Sequence, residues 1–207
     1  MKMDEIMRLA PVIPVLIVDD AAYARPIAEA MVAGGLRVLE VTLRTPAALD
    51  VIAEMAKVEG AVVGAGTVLD PSQLDDSLRA GARFIVSPGL TDRLTRAVID
   101  AGIPYLPGVA TAGEIMRGLD HGLDRFKFFP AEAAGGVKAL AAQAAPFAQV
   151  RFCPTGGIRA ETMKDWLKLD SVLCIGGSWL VPKGPPDTEK IKQAAREAVA
   201  LAREGLA

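Results

Sequence analysis

The sequence contains very few histidine and cysteine residues, and this shortage excludes several kinds of catalytic site. Its 207 residues include one histidine, His121. A single imidazole excludes a histidine-rich metal site and any Ser-His or Cys-His nucleophile pair. Because His121 precedes Gly122 at the end of a helical segment, we interpret it as a helix C-terminal residue favoured by the dipole. Any chemistry must then use lysine, glutamate, arginine, threonine or tyrosine.

The two cysteines, Cys153 and Cys174, lie in apolar runs that read as strands. A disulfide between them is possible, but buried cysteines in cytoplasmic proteins usually remain free thiols. We therefore predict two free, buried thiols and a cytoplasmic protein.

Charge of one sign and long apolar runs are also missing. Lysine and arginine total 23, aspartate and glutamate total 25, and the net charge is −2. Because nucleic-acid binding needs a positive stripe, no nucleic-acid partner is expected. The longest apolar runs, such as residues 10–18, are too short to span a bilayer. Residues 1–10 carry two acids and do not resemble a secretory signal, so we expect no membrane association.

Half of the residues are hydrophobic and only 5% are aromatic, which is typical of a helix-and-strand enzyme domain. Short apolar runs alternate with amphipathic segments. We predict eight strands, at 12–18, 38–43, 61–67, 84–88, 105–109, 125–130, 150–157 and 171–178. Apolar strands that alternate with helices indicate a parallel sheet covered on its outer face.

Eight such strand-helix units predict an α/β fold of the single-domain (β/α)8 TIM barrel type over residues 1–207. The alternative is an open, doubly wound sheet. The number of units and the lack of a G-x-G-x-x-G motif after the first strand disfavour it. The first residues are expected to form a short helix that plugs the bottom of the barrel, and residues 182–187 a turn before a final helix.

Helix ends carry recognisable signals. Asp70 before Pro71, Thr91, and Thr111 with Glu114 three residues later are predicted to begin helices. Left-handed glycines are predicted to end four helices, at Gly34, Gly81, Gly102 and Gly122.

Polar side chains occupy every second position along the second predicted strand and just beyond its end. Glu40, Thr42 and Arg44 alternate with apolar residues, so we expect them to face the barrel interior while the apolar residues face the helices. Each has a structural alternative: Glu40 could be the ion-pair partner of a cation, and Arg44 could pair with a surface acid. Thr67, at the end of the third strand, could simply neighbour a helix cap.

Lys127 lies between phenylalanines in the sixth strand, although lysine is rarely buried. It could lie at the strand end and reach water along its stem. Alternatively, burial keeps its amine neutral and nucleophilic. An interior lysine and an interior glutamate on separate strands need each other electrostatically. They also form the nucleophile and proton shuttle that imine chemistry requires.

Glycine pairs lie at the carboxyl ends of the seventh and eighth predicted strands, at residues 155–157 and 176–178. Barrel enzymes commonly bind phosphate at these loops, where glycine lets the backbone approach the ligand. Ser178 can add a hydroxyl. Tight turns without a ligand are the alternative interpretation.

Seven segments together resemble the bacterial 2-keto-3-deoxy-6-phosphogluconate (KDPG) aldolases, a family that includes enzymes also acting on 4-hydroxy-2-oxoglutarate. The segments read VLEVTLRT, VGAGTVL, SPG, FKFFPAE, GGVKAL, RFCPTGGI and LCIGGSWLVP. The resemblance extends from about residue 10 to residue 182, and the chain beyond is less alike. It implies a class I aldolase without metal or other cofactor, usually a trimer of barrels, that acts on a keto acid phosphate.

The same resemblance implies roles for individual residues. Lys127 matches the Schiff-base lysine and Glu40 the general acid/base. Matches to substrate-binding positions are Arg44 and Thr67 for the pyruvate moiety, Pro88 and Phe129 for the walls around the ketimine, Thr155 for stereochemical choice, and Gly156, Gly157, Gly177 and Ser178 for phosphate.

The implied reaction cleaves KDPG to pyruvate and glyceraldehyde 3-phosphate, and 4-hydroxy-2-oxoglutarate or the galactonate epimer could be preferred instead. Two further alternatives remain open. A phosphosugar isomerase or epimerase on the same barrel would use the glutamate as base and no covalent lysine. A binding protein for a sugar acid phosphate would hold its ligand without releasing pyruvate.

Overall fold

The computed structural model describes residues 1–205, which form an eight-stranded parallel barrel surrounded by helices. The strands are β1 (Val12–Leu16), β2 (Val38–Thr42), β3 (Val62–Gly66), β4 (Ile85–Ser87), β5 (Tyr105–Val109), β6 (Arg125–Phe128), β7 (Arg151–Pro154) and β8 (Ile175–Gly177). The helices are α1 (Met3–Arg8), α2 (Ala24–Ala33), α3 (Ala48–Met55), α4 (Pro71–Arg79), α5 (Asp92–Asp100), α6 (Ala112–Asp120), α7 (Gly136–Ala144), α8 (Met163–Leu167) and α9 (Thr188–Gly205), with a 3-10 turn at Ala21–Tyr23.

From β1 to β7 each strand pairs in parallel with the next along the chain, and β1 also pairs with β8. The remaining seam, between β7 and β8, is joined by single bridges from Phe152 to Val172 and from Thr155 to Gly176. The sheet therefore closes on itself, and the predicted (β/α)8 barrel is confirmed. Every predicted strand is present, β5 with the predicted bounds and the other seven shorter than predicted, most clearly β8, where the flanking residues form turns.

The apolar residues divide into two layers, as the period of two predicts. Leu39, Val41, Phe126 and Phe128 pack in the layer between the strands and the helices. The Phe128 ring, for example, lies 6.3 Å from the ring of Trp166 on α8. Residues of the intervening positions point inward, so the two faces of each strand are chemically distinct.

Helix α1 closes the amino-terminal end of the barrel, as predicted. Its Met3, Ile6 and Met7 pack with the inward-facing apolar side chains, including Val38 and Val62 at the starts of β2 and β3. Asp4 of α1 also accepts a 2.7 Å hydrogen bond from Arg125, the first residue of β6. This plug leaves the carboxyl ends of the strands as the open end of the barrel.

The predicted N-caps are confirmed: Asp70 accepts from Gln73, Thr91 from Leu94, and Thr111 forms a capping box with Glu114. The left-handed glycines after α4, α5 and α6 are also confirmed, at Gly81, Gly102 and Gly122.

The prediction for Gly34 was wrong. It is right-handed, with φ −82°, and Gly35 takes the left-handed conformation with φ +97°. Gly34 is instead needed for close packing, since a Cβ there would overlap the Cβ of Ala195 on α9. The final helix thereby packs directly on α2.

Both cysteines are free and buried in the barrel interior, as predicted. Burial raises the pKa of the Cys174 thiol well above its ordinary value, and the neighbouring Cys153 raises it further. Within residues 1–205, helices of the length and apolarity required to cross a bilayer are absent.

Candidate active site

A buried ion pair lies inside the barrel. The Lys127 ammonium group on β6 donates hydrogen bonds to Glu40 on β2, at 3.0 Å from Nζ to Oε1 and 3.4 Å to Oε2. Lys127 is 5% exposed and Glu40 is 2% exposed. The lysine therefore does not reach water along its stem. Two charges of this kind remain buried only when each neutralises the other.

Two glycines lie on the strands that flank this pair. Gly66 on β3 lies beside Glu40, and a Cβ there would overlap the glutamate side chain. Gly108 on β5 is the register partner of Lys127. The missing side chain at Gly66 leaves room for Glu40, and the missing side chain at Gly108 leaves room for the backbone of Pro88 above the lysine.

The amine also faces an aromatic ring. The Lys127 Nζ lies 5.4 Å from the centroid of the Phe129 ring, within the range of a cation–π contact. Phe129 follows β6 directly and lines the open end of the barrel. The end of β2 is fixed nearby, because Thr42 Oγ1 donates a 3.0 Å hydrogen bond to the carbonyl oxygen of Leu16 on β1.

A cavity of about 130 Å³ opens at the carboxyl ends of the strands. Six of the predicted site residues line it: Arg44, Phe129, Thr155, Gly156, Gly157 and Ser178. The structure therefore brings the predicted carboxylate-binding arginine and most of the glycine-rich loops to one cavity near the buried pair.

Three lining residues, Val15, Ile17 and Ile158, were missed from the sequence, and Gly176 belongs to the predicted glycine pair without having been singled out. Gly176 could have been found from strand alternation, since it shares a face with Ser178. Gly177 points the other way, and a Cβ there would overlap the ring of Trp179. Gly177 is not among the residues that line this cavity, but it lies between two that do, Gly176 and Ser178.

Two other predicted residues lie at the same end of the barrel without lining this cavity. Thr67 directly follows β3 and Pro88 directly follows β4. Thr67 is the only non-glycine residue with a positive φ, +59°, in residues 1–205. A β-branched residue is strained in this conformation, and such strain is concentrated at functional sites.

The loop after β7 is held by the turn after β6. Ala131 donates its N–H to the Thr155 carbonyl at 2.8 Å, and Glu132 donates to the Gly156 carbonyl at 3.0 Å. Gly156 and Gly157 have φ values of +108° and +82°, which only glycine adopts without strain. The fixed loop leaves the backbone open to a ligand at the cavity wall.

The fold and the site together define a class of protein. A buried amine–carboxylate pair beside a cavity at the carboxyl end of a parallel barrel is the arrangement that an imine-forming barrel enzyme needs. Among residues 1–205, we find no cluster of three or more metal-ligating side chains.

Comparison with known proteins is more specific. A family model described as KDPG and KHG aldolase matches residues 3–194. The 2-dehydro-3-deoxy-phosphogluconate aldolase of Zymomonas mobilis is 57% identical over 204 residues, which cover 99% of this chain and 98% of the relative. The KHG/KDPG aldolase of Escherichia coli K12 is 56% identical over 200 residues, or 95% and 94% of the two chains.

Two solved structures agree. The Z. mobilis ZM4 KDPG aldolase with 3-phosphoglycerate is 58% identical, with a TM-score of 0.94 over 96% of this chain and 95% of that one. The Legionella pneumophila KDPG aldolase, with pyruvate captured as a covalent carbinolamine, is 42% identical, with a TM-score of 0.91 over 97% and 98%. This chain belongs to the KDPG and KHG aldolase family.

Proposed function

We propose that this protein is a class I aldolase that cleaves KDPG to pyruvate and glyceraldehyde 3-phosphate through a Schiff base on Lys127. The observation that carries the proposal is the buried Lys127–Glu40 pair beside the cavity. It supplies a nucleophile and a proton acceptor in hydrogen-bond contact. The carbinolamine in the L. pneumophila relative supports the covalent route.

The first steps form the imine. Glu40 accepts a proton from the Lys127 ammonium group across the 3.0 Å hydrogen bond, which leaves a neutral amine. The amine attacks C2 of the substrate, and the carbonyl oxygen takes a proton to give a carbinolamine. Loss of water, with a proton returned to the departing hydroxyl, gives a protonated ketimine.

The cationic ketimine then accepts the electron pair of the bond that breaks. Glu40, directly or through water, removes the proton of the C4 hydroxyl, and the C3–C4 bond electrons move to C3. Glyceraldehyde 3-phosphate leaves, and an enamine remains on Lys127. Proton return to C3 and hydrolysis of the imine release pyruvate and restore the amine.

The remaining site residues hold the substrate. Arg44 faces the cavity and is proposed to bind the substrate carboxylate through two parallel hydrogen bonds. Phe129 and Pro88 are proposed as walls around the ketimine, Thr67 as a second pyruvate contact, and Thr155 as a stereochemical determinant. Gly156, Gly157, Gly177 and Ser178 are proposed to hold the phosphate, and Gly176 lines the same cavity.

A second substrate is 4-hydroxy-2-oxoglutarate, because the E. coli relative is named a KHG/KDPG aldolase. It has the same keto acid end, and its cleavage gives pyruvate and glyoxylate. It carries no phosphate, however, so the glycine loops and Ser178 favour KDPG. Cleavage rates for KDPG, its galactonate epimer and 4-hydroxy-2-oxoglutarate would rank the three.

Hydride trapping tests the proposal. Borohydride added with pyruvate should increase the intact mass by one reduced pyruvyl group, and peptide mapping should place it on Lys127. Lys127→Ala should lose both the adduct and pyruvate release in a lactate dehydrogenase-coupled assay. Lys138→Ala, on the exposed surface of α7, is the matched control and should retain both.

The alternatives give different results. An isomerase or epimerase that uses Glu40 alone would show no adduct, and a binding protein would release no pyruvate. Either result in the wild-type protein would overturn the proposed function.

We also propose a cytoplasmic homotrimer. The two free thiols support a reducing compartment. The trimer is proposed because the resemblance to the KDPG aldolases implies a trimer of barrels. For a trimer, sedimentation equilibrium should give three times the chain mass of 21.7 kDa. Any other multiple of the chain mass would contradict the proposed trimer.

A further inference from the structure

A short chain of hydroxyl groups supports the loop after β4 from its outer side. Ser87, the last residue of β4, is 1% exposed. Its Oγ donates a 2.7 Å hydrogen bond to the carbonyl of Gly89, and lies 2.7 Å from the hydroxyl of Tyr105 on β5. Because Ser87 has one proton and gives it to Gly89, Tyr105 must donate to Ser87.

Burial keeps the Tyr105 hydroxyl in its protonated form, in which it can donate a hydrogen bond. Tyr105 is 4% exposed, and burial raises its pKa above the ordinary value of 10.0. Its hydroxyl therefore stays protonated and remains a donor at any pH at which the enzyme would work. The order is Tyr105 to Ser87 to the Gly89 carbonyl, a run in which each hydrogen bond polarises the next.

The hydroxyl chain and the active site lie on opposite faces of the same segment. Tyr105 packs in the layer between strands and helices, together with Ile85, its register partner on β4. Val86 belongs to the interior layer. By alternation Ser87 points toward the helices, and the following residue, Pro88, turns toward the barrel interior.

Pro88 is in close contact with the strand that borders Lys127. The Pro88 carbonyl lies so near Gly108 that a Cβ at Gly108 would overlap it. Gly108 is in turn the register partner of Lys127. A shift of the β4 loop would therefore be transmitted through Gly108 to the neighbourhood of the amine.

We propose that Ser87 and Tyr105 are positioning residues, which hold the Pro88–Gly89 loop against Gly108 and thereby shape the pyruvate end of the site. This inference rests on the proposed aldolase function. Neither side chain touches the cavity lining described above, so neither is a catalytic residue.

The hydrogen-bond order predicts unequal effects. Ser87→Ala removes both hydrogen bonds and leaves the Gly89 carbonyl without its donor, whereas Tyr105→Phe leaves the Ser87–Gly89 bond in place. We expect the KM for pyruvate in aldol synthesis to rise about tenfold in Ser87→Ala and about threefold in Tyr105→Phe. The double variant should match Ser87→Ala, because the tyrosine acts only through the serine.

The KM for glyceraldehyde 3-phosphate should stay within twofold of wild type, since its phosphate is proposed to bind at β7 and β8. If the two residues had a purely structural role, the variants would have a lower melting temperature. The KM values for pyruvate and glyceraldehyde 3-phosphate would then either both stay the same or both change. Ser77→Ala is the matched control, because Ser77 is buried on α4 and its hydroxyl likewise donates a 2.6 Å hydrogen bond to a backbone carbonyl, that of Gln73. It should leave both KM values unchanged.

The outcomes separate the two proposals. If wild type is trapped by borohydride and folded Ser87→Ala keeps a wild-type KM for pyruvate, the positioning role is wrong and the aldolase proposal stands. If Ser87→Ala does not fold, Tyr105→Phe decides, and an unchanged KM for pyruvate there overturns the positioning role. If wild type forms no adduct, the proposed function itself fails.

Discussion

Lys127 and Glu40 contact each other across the full diameter of the barrel. They lie on β6 and β2, which are separated by three strands in either direction around the closed sheet, yet Nζ and Oε1 are 3.0 Å apart. Two long side chains must both extend inward to meet in this way. The contact therefore requires a small residue beside the glutamate, which Gly66 on β3 provides.

The first prediction separates the proton shuttle from the nucleophile. Glu40→Gln keeps the size and hydrogen-bonding ability of the side chain but cannot accept a proton. We expect KDPG cleavage to fall about 100-fold or more. Pyruvate should still form the reducible adduct on Lys127, more slowly. Steady-state cleavage and time-resolved borohydride trapping measure the two effects.

Glu54→Gln is the control, because Glu54 lies on α3 in a surface ion pair with Lys57 and should not affect turnover. A Glu40→Gln enzyme with wild-type turnover would show that another group moves the protons.

Much of this site could be predicted because a strand alternates with a period of two. That period placed Glu40 and Lys127 inside, and the structure confirms it. The same period, applied to β8, places Gly176 on the cavity side together with Ser178. The prediction of Gly177 rests on the motif, and a motif does not say which face of the strand each glycine occupies.

Other contacts were beyond sequence reasoning because they join distant segments. The Asp4–Arg125 pair spans 121 residues and depends on how α1 lies under the barrel. The Ser87–Tyr105 hydrogen bond joins two strands through a layer that patterning describes only as apolar. Gly34 carried a capping signal, but the position requires glycine because α9 packs against it, and Gly35 takes the left-handed conformation.

The second prediction concerns backbone strain at Thr67. The left-handed φ of +59° costs a non-glycine residue about 1–2 kcal/mol in steric strain. Glycine has no such strain, but ordering its more flexible backbone on folding costs about 0.5–1 kcal/mol more in conformational entropy. We expect Thr67→Gly to leave the free energy of unfolding unchanged or to raise it by up to about 1 kcal/mol. Activity should fall at the same time, because the proposed pyruvate contact is lost. Urea unfolding and cleavage assays check this.

Thr91→Gly is the matched comparison, since Thr91 has a φ of −124° and caps α5. No strain is relieved there, so the free energy of unfolding should fall by a few tenths of a kcal/mol or more. The strain argument fails if Thr67→Gly is the less stable of the two variants.

The third prediction tests the phosphate loop. Ser178 lines the cavity beside the glycines after β7 and β8, and its hydroxyl is proposed to donate to the substrate phosphate. Ser178→Ala should raise the KM for KDPG about tenfold or more, as expected for the loss of a hydrogen bond to a charged group. The KM for 4-hydroxy-2-oxoglutarate, which has no phosphate, should not change.

Ser72→Ala, on the exposed face of α4, should leave both KM values at the wild-type level. If Ser178→Ala raised the KM for both substrates equally, the serine would shape the cavity and would not bind the phosphate.

The fourth prediction concerns acid stability. Asp92, in the first turn of α5, accepts hydrogen bonds from Arg117 at 2.7 and 2.6 Å and contacts His121 Nε2 at 3.0 Å. Arg117, and then His121, hold the pKa of the Asp92 carboxyl well below its ordinary value of 3.8. Because the folded-state pKa is the lower one, the stabilisation is complete above about pH 4 and is lost as the pH falls further.

Asp92→Asn should therefore be less stable than wild type at pH 7, and the difference between the two should shrink between pH 4 and pH 2. Arg117→Gln removes the main partner of the carboxyl and should give the same convergence. Other carboxyls with lowered pKa values, such as Asp4, contribute equally to both proteins and cancel in the difference. Urea unfolding at a series of pH values measures it, and parallel curves for wild type and Asp92→Asn would contradict the assignment of this acid sensitivity to Asp92.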